Sequence, residues 1–209
     1  MSKIAGLNGP GRQKSAEKTD AILKGAMGEF LAHGYAATSM ERVAAAAGVS
    51  KATVYSHFQD KQGLFMTLVR RLAEEKYRAV FNPQDSQFLQ GEPSAVLQSL
   101  AHKMLDNAMG DKQLQSFMRL ILGESGRFPE LAQPYVENLA KPVIELLSQY
   151  LASRGELQLS DPEATARIFI GSLVYFVILQ EVLHGKKNLP LERDRLINSL
   201  IELITNPKH

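Results

Sequence analysis

Lys51, Ala52, Thr53, Tyr55 and His57 fall within one short stretch and bring together an ammonium, two hydroxyls, an imidazole and a methyl group. These are the groups with which a helix meets base edges and phosphate oxygens in duplex DNA. No covalent chemistry is asked of them. The plain alternative is an ordinary solvated helix, with Tyr55 burying its ring and His57 lying idle on the surface, so the case depends on what positions these residues.

The flanking sequence, Thr38 to Phe58, spells two short helices joined at Gly48 with the spacing of a helix-turn-helix. Thr38 can cap the first helix while Glu41 reaches back to the cap amide, a reciprocal capping box that sets a start near Ser39. Val43, Ala44 and Ala47 recur at helical spacing, and the small alanines allow a second helix to cross closely. Gly48 then supplies a turn tolerant of positive φ. Ser50 can cap the second helix, whose Val54 and Phe58 lie four apart on the buried side. Lys51, Ala52, Thr53, Tyr55 and His57 remain on its other faces.

In Gly34-Tyr35, Thr38, Val43-Ala44, Ala47-Gly48-Val49-Ser50, Thr53, Val54-Tyr55, His57-Phe58 and Lys61 the chain resembles the DNA-binding domain of the TetR family of one-component transcriptional regulators. The resemblance covers residues 15 to 70, and beyond Lys61 only the order of segments is similar. Gln62-Gly63 departs from the acidic helix-starter more usual there, and Gly25 and Gly28 sit inside the first helix, each costing about 1 kcal/mol unless it permits close helix approach. The resemblance implies that Lys51, Ala52 and Thr53 approach bases, that Tyr55, His57 and Lys61 grip phosphates, and that Thr38 presents a helix N-terminus to the backbone. Arg42 is carried as a further DNA contact.

Charge is segregated in the same sense. Residues 1 to 82 hold twelve Lys or Arg against seven Asp or Glu, +5, whereas the remainder holds twelve against fifteen, −3. A basic unit that meets phosphates, tethered to one that does not, fits this division. With 209 residues and 44% hydrophobic content the chain can bury a core in one small and one larger unit. The absence of cysteine excludes disulfides, thiolate zinc sites, a cysteine nucleophile and thiol redox sensing. The apolar run Ile168 to Leu179 is shorter than the roughly 20 residues of a bilayer span, and Met1 to Pro10 lacks a signal-like apolar segment, so the expectation is a cytoplasmic protein without membrane contact.

An all-α fold is predicted. Residues 1–14 read as a flexible basic arm, 15–60 as a three-helix helix-turn-helix domain and 61–209 as a helical ligand-binding and dimerisation domain. The first helix spans Ser15 to His33 and stops at Gly34. Asp60 caps a fourth that runs toward Phe81 until Pro83 stops it and links the two domains. After a connector from Pro83 to Pro93, stripes through Val96 to Leu105 and Leu114 to Leu122 read as amphipathic helices. Glu130 to Ser153 reads as a helix kinked at Pro142. Asp161-Pro162-Glu163 opens another, His184-Gly185 gives it a left-handed end, and the last helix runs from Leu191 to Ile204.

Met104, Phe117, Met118, Ile121 and Phe176 are candidates to line an apolar ligand cavity, since methionine and aromatic walls suit adaptable pockets; plain core is the alternative for each. Ile168, Tyr175, Ile178, Leu179, Ile197 and Ile201 are candidate dimer contacts, because a helix apolar on nearly every side must be enclosed by neighbours or by a second subunit. In the family the last two helices pair with their symmetry mates as a four-helix bundle. His102 and Asp106, four apart, lack a third metal ligand, and Lys14-Ser15 stands out of register for a phosphate loop with no strand before it, so neither a metal nor a cofactor is expected. The expectation is a homodimeric repressor on a near-palindromic DNA operator, released by an apolar or aromatic small molecule. A DNA-binding scaffold that senses nothing, or an enzyme, are the alternatives.

Overall fold

Ile22, Leu23, Ala26, Met27 and Phe30 recur at helical spacing along the first helix and are all buried, so its apolar stripe faces inward as the periodicity dictates. The structure, a computed structural model, describes residues 10–81 and 90–206. Residues 1–9 of the expected arm and most of the Pro83 to Pro93 connector lie outside them. The described residues are helices and turns with no strand. The chain divides into two compact units, Met1–Val69 and Arg70–His209.

The first unit holds α1 (Pro10–Ala37), α2 (Met40–Ala47), α3 (Lys51–His57) and the first part of α4 (Lys61–Val80). α1 begins at Pro10, ahead of the expected Ser15, so residues 10–14 are helical; proline at a first turn forfeits no hydrogen bond. Its helical geometry breaks at Gly34, with φ 76° and ψ 171°. Gly25 explains itself by packing: a Cβ there would come within 3.0 Å of the Ala47 amide nitrogen, so α1 and α2 cross at backbone distance. Phe30, Tyr35 and Phe65 form an aromatic cluster with centroid separations of 5.0 to 5.8 Å.

The second unit contains the rest of α4, then α5 (Pro93–Gly110), α6 (Lys112–Glu124), the short α7 (Gln133–Tyr135), α8 (Lys141–Ala152), α9 (Pro162–Val177) and α10 (Arg193–Thr205). Leu97, Leu100, Leu105, Leu147, Leu151, Phe169 and Leu173 build its core. The expected kink at Pro142 takes another form. A π-helical turn, Val136–Ala140, precedes α8 and places Pro142 in its first turn, where the missing N–H is harmless. α9 starts as expected, with Asp161 Oδ1 accepting from the Ala164 amide at 2.9 Å ahead of Pro162. Its end is different: a π turn, Ile178–Val182, follows, and the left-handed residue is His184 at φ 57°, not Gly185. Gly185 is needed for space instead, since a Cβ would lie 2.6 Å from the Leu179 carbonyl oxygen.

Pro162–Val182 is, by length and a mean hydropathy of 1.5, apolar enough to cross a membrane, a property the twelve-residue run alone did not reveal. In this fold Phe169, Ile170, Leu173, Phe176 and Val177 are buried against the unit's own helices.

Candidate nucleic-acid interface and interior cavity

Gly48, at φ 65° and ψ 30°, closes α2 and lets α3 begin three residues later, at Lys51. The Ser50 hydroxyl caps α3, accepting from the Thr53 amide at 3.1 Å. Val54 and Phe58 are buried, which turns Lys51, Ala52 and Tyr55 outward; Tyr55 is 42% exposed despite its aromatic ring. An exposed tyrosine beside a lysine on the second helix of the motif suits phosphate and base contact. Arg42 is exposed on α2.

The outward residues are held in place. Lys51 is ion-paired with Glu41, and its ammonium lies 5.6 Å from the Tyr55 ring centroid. The hydrogen bond from Lys51 holds the Glu41 carboxyl down at about 2, and the same bond raises the Lys51 pKa. Thr53 Oγ1 lies 2.8 Å from Ser50 Oγ. His57 is partly buried, its Nδ1 3.0 Å from the Thr19 hydroxyl of α1.

Thr38 and Lys61 take structural roles that the spacing did not foretell. Ser39, not Thr38, caps α2, accepting from the Arg42 amide at 3.3 Å. Thr38 is only 2% exposed and its hydroxyl donates to the carbonyls of Gly34 and Glu29 at 2.8 and 3.1 Å. The Lys61 ammonium donates to the carbonyls of Tyr35, Ala36 and Thr38 at 2.8, 3.1 and 2.9 Å and lies 4.6 Å from the Tyr35 ring centroid. Its three donors turn inward onto the last residues of α1 and the link to α2 rather than outward to phosphate. The break at Gly34 leaves those carbonyls without helical partners, and a lysine at the start of α4 supplies them.

In the second unit a cavity of about 390 Å³ is walled by apolar side chains from α4, α5, α6, α8 and α9. Met104 and Met118 line it, whereas Phe117, Ile121 and Phe176 do not and are buried in the packing. Helical rotation explains the division. Leu114 and Met118, four apart, share the cavity face of α6; Phe117 and Ile121 share the adjacent face, and Phe176 lies with Phe169 on the core face of α9. The sequence reading missed Tyr77, Tyr135 and Lys76. The first has a signal, Tyr77 standing four residues before Phe81 at the end of α4, but Tyr135 lies where a 3-10 turn, a short helix and a π turn erase any period.

The candidate dimer residues divide likewise. Ile168 and Tyr175, seven apart on one stripe of α9, are 62% and 63% exposed. Ile178, Leu179 and Ile201 are partly buried. Ile197 is 0% exposed and belongs to the unit's own core, because α10 turns it toward the buried cluster. His102 and Asp106 are both engaged by α10, His102 Nε2 lying 3.1 Å from Asp194 Oδ1 and Asp106 ion-paired with Arg193, and no group of three metal-ligating side chains occurs among the described residues.

A capped helix-turn-helix in a basic unit, followed by a separate all-helical unit, defines a DNA-binding transcriptional regulator. The chain belongs to the tetR family: residues 22–68 match the profile of bacterial regulatory proteins of that family, and residues 95–205 match the AefR-like transcriptional repressor C-terminal domain. It is 25% identical over 205 residues to the HTH-type transcriptional repressor BepR of Brucella suis, spanning 94% of this chain and 96% of that one. Among solved structures it is similar to a TetR-family transcriptional regulator from Mesorhizobium loti, with 28% identity, a TM-score of 0.74 and coverage of 91% and 96% of the two chains. The Flavonoid-responsive Regulator FrrA shares 31% identity at a TM-score of 0.71, over 88% of this chain and 92% of its own.

Proposed function

We propose that this protein is a cytoplasmic, homodimeric repressor that occupies a near-palindromic operator and is released from it by a small molecule. The observation that carries the reading is the pairing, in one chain, of an outward-facing Lys51 and Tyr55 on a capped second helix with an apolar cavity in a separate unit. Ile168 and Tyr175 support dimerisation, since large apolar side chains exposed along one helix stripe favour a second copy. Arg42, Lys51, Ala52, Thr53 and Tyr55 are the proposed DNA contacts, with His57 beside them. Met104 and Met118, together with Tyr77 and Tyr135, are the proposed effector contacts. The relative named for its flavonoid response supports an aromatic or apolar effector.

An effector releases DNA only through a different affinity for the two states of the protein. α4 contributes residues to both units, with Lys61 anchored in the first and Tyr77 lining the cavity of the second, and so is the proposed carrier of that difference. Selection of bound sequences from random duplex DNA tests the reading. Enrichment of an inverted repeat with half-sites about 34 to 36 Å apart supports it. Enrichment of single half-sites, or a protein that stays monomeric in light scattering, refutes the dimeric form. A DNA complex that no compound entering the cavity dissociates supports the scaffold instead.

A further inference from the structure

The polar side chains that line the cavity are Lys76, Arg167, Asn107 and the phenols Tyr77 and Tyr135, and the first three are already engaged. Lys76 donates to Asp111 at 2.7 Å and to Glu75 at 3.2 Å, so two carboxylates stand around its charge. Asp111 is in turn held by the Leu114 amide at 2.9 Å as the cap of α6. Arg167 donates twice to Glu163, at 2.7 and 3.0 Å. Asn107 gives an amide N–H to the Lys103 carbonyl at 2.9 Å. Neither phenol makes a hydrogen bond among the described residues, neither that of Tyr77, whose ring packs on Phe81, nor that of the partly buried Tyr135. Burial pushes its pKa up, so at neutral pH the hydroxyl is a proton donor awaiting an acceptor.

We propose that the cavity takes an uncharged ligand with an apolar body and one hydrogen-bond acceptor, such as a ketone oxygen, which receives the Tyr135 hydroxyl, and that it rejects the carboxylate of the same body. An anion would surrender its hydration in an apolar chamber whose cations are already neutralised, or would have to displace Asp111 from both Lys76 and the α6 cap. A carbonyl surrenders far less and satisfies the Tyr135 hydroxyl. The inference rests on the reading of the cavity as the effector site.

Three probes with a common two-ring body separate the terms: diphenylmethane, benzophenone and 4-benzoylbenzoate, measured by equilibrium dialysis against the full chain. Benzophenone is expected to bind about tenfold or more tightly than either of the others, the margin of one hydrogen bond to a buried group. Tyr135→Phe should bring benzophenone to the level of diphenylmethane and leave diphenylmethane unchanged, with an unaltered melting temperature showing that the fold is intact. Met118→Trp, which fills the chamber, should abolish binding of all three. Equal or tighter binding of 4-benzoylbenzoate, a benzophenone margin that survives Tyr135→Phe, or no binding of any probe overturns the proposed ligand class. If the order fails but Met118→Trp still blocks binding, the cavity stands as the site and only its chemistry was misjudged. Binding unaffected by Met118→Trp places the probes elsewhere and overturns the effector-site reading itself.

Discussion

Lys61 meets Tyr35 twice: its ammonium donates to the Tyr35 carbonyl at 2.8 Å and sits 4.6 Å from the centroid of the same residue's ring. With the carbonyls of Ala36 and Thr38 also in reach, one lysine satisfies three acceptors that the break at Gly34 leaves behind. Lys61→Ala should therefore destabilise the first unit by about 1 to 3 kcal/mol, the cost of leaving partly buried carbonyls unpaired. Melting temperature checks this. A lysine that only gripped phosphate would leave stability unchanged and flatten the salt dependence of DNA binding by about one contact.

Glu41 holds Lys51 before any DNA arrives. Glu41→Gln should free that ammonium, raising affinity for duplex DNA and steepening its salt dependence, while Lys51→Ala should do the opposite. Gel-shift titrations at several salt concentrations read both.

The same pair carries a pH signature. A carboxyl whose folded pKa is depressed from 4.5 to about 2 contributes stability above the unfolded value and loses it as pH falls toward 2. Wild type and Glu41→Gln should thus differ in melting temperature above pH 4.5 and converge between 4.5 and 2.

Two glycines in α1 should respond with opposite signs. Gly28 is exposed and a Cβ there meets nothing within 4 Å, so Gly28→Ala should stabilise by about 1 kcal/mol. Gly25→Ala presses against the Ala47 backbone at 3.0 Å and should destabilise. Denaturant midpoints of the two variants decide it.

Ile168→Asp and Ile197→Asp should fail differently. A carboxylate at exposed Ile168 disrupts the proposed subunit contact and should yield a folded monomer that has lost operator affinity. At fully buried Ile197 it should unfold the second unit, at a cost of several kcal/mol. Light scattering with circular dichroism separates the outcomes.

On α6, Phe117→Ala should cost about 3 to 5 kcal/mol and reduce stability and DNA binding together, as expected of packed core. Met118→Ala enlarges an existing cavity and should spare operator affinity while blunting effector release. A Phe117→Ala protein with wild-type stability would contradict the packing described.

The helix-turn-helix was legible in the chain because every signal for it is local. Ser50, Gly48, Val54 and Phe58 act on neighbours within a turn or two, and caps, left-handed turns and apolar periods need no distant partner. The same holds for Asp60 and Asp161 as helix starts, and for the buried stripe of α1. Which residues serve the fold and which face outward needed the third dimension. Lys61 reads as a free cation until α1 breaks at Gly34 and offers it three carbonyls from more than twenty residues away. Phe117 and Met118 are adjacent and equally apolar, and only the packing of α6 among its neighbours assigns one to the core and the other to the cavity. Ile168 and Ile197 are the same residue type, yet the one on the more apolar helix is exposed and the other sealed, because burial is set by what lies opposite a side chain and composition carries no record of that.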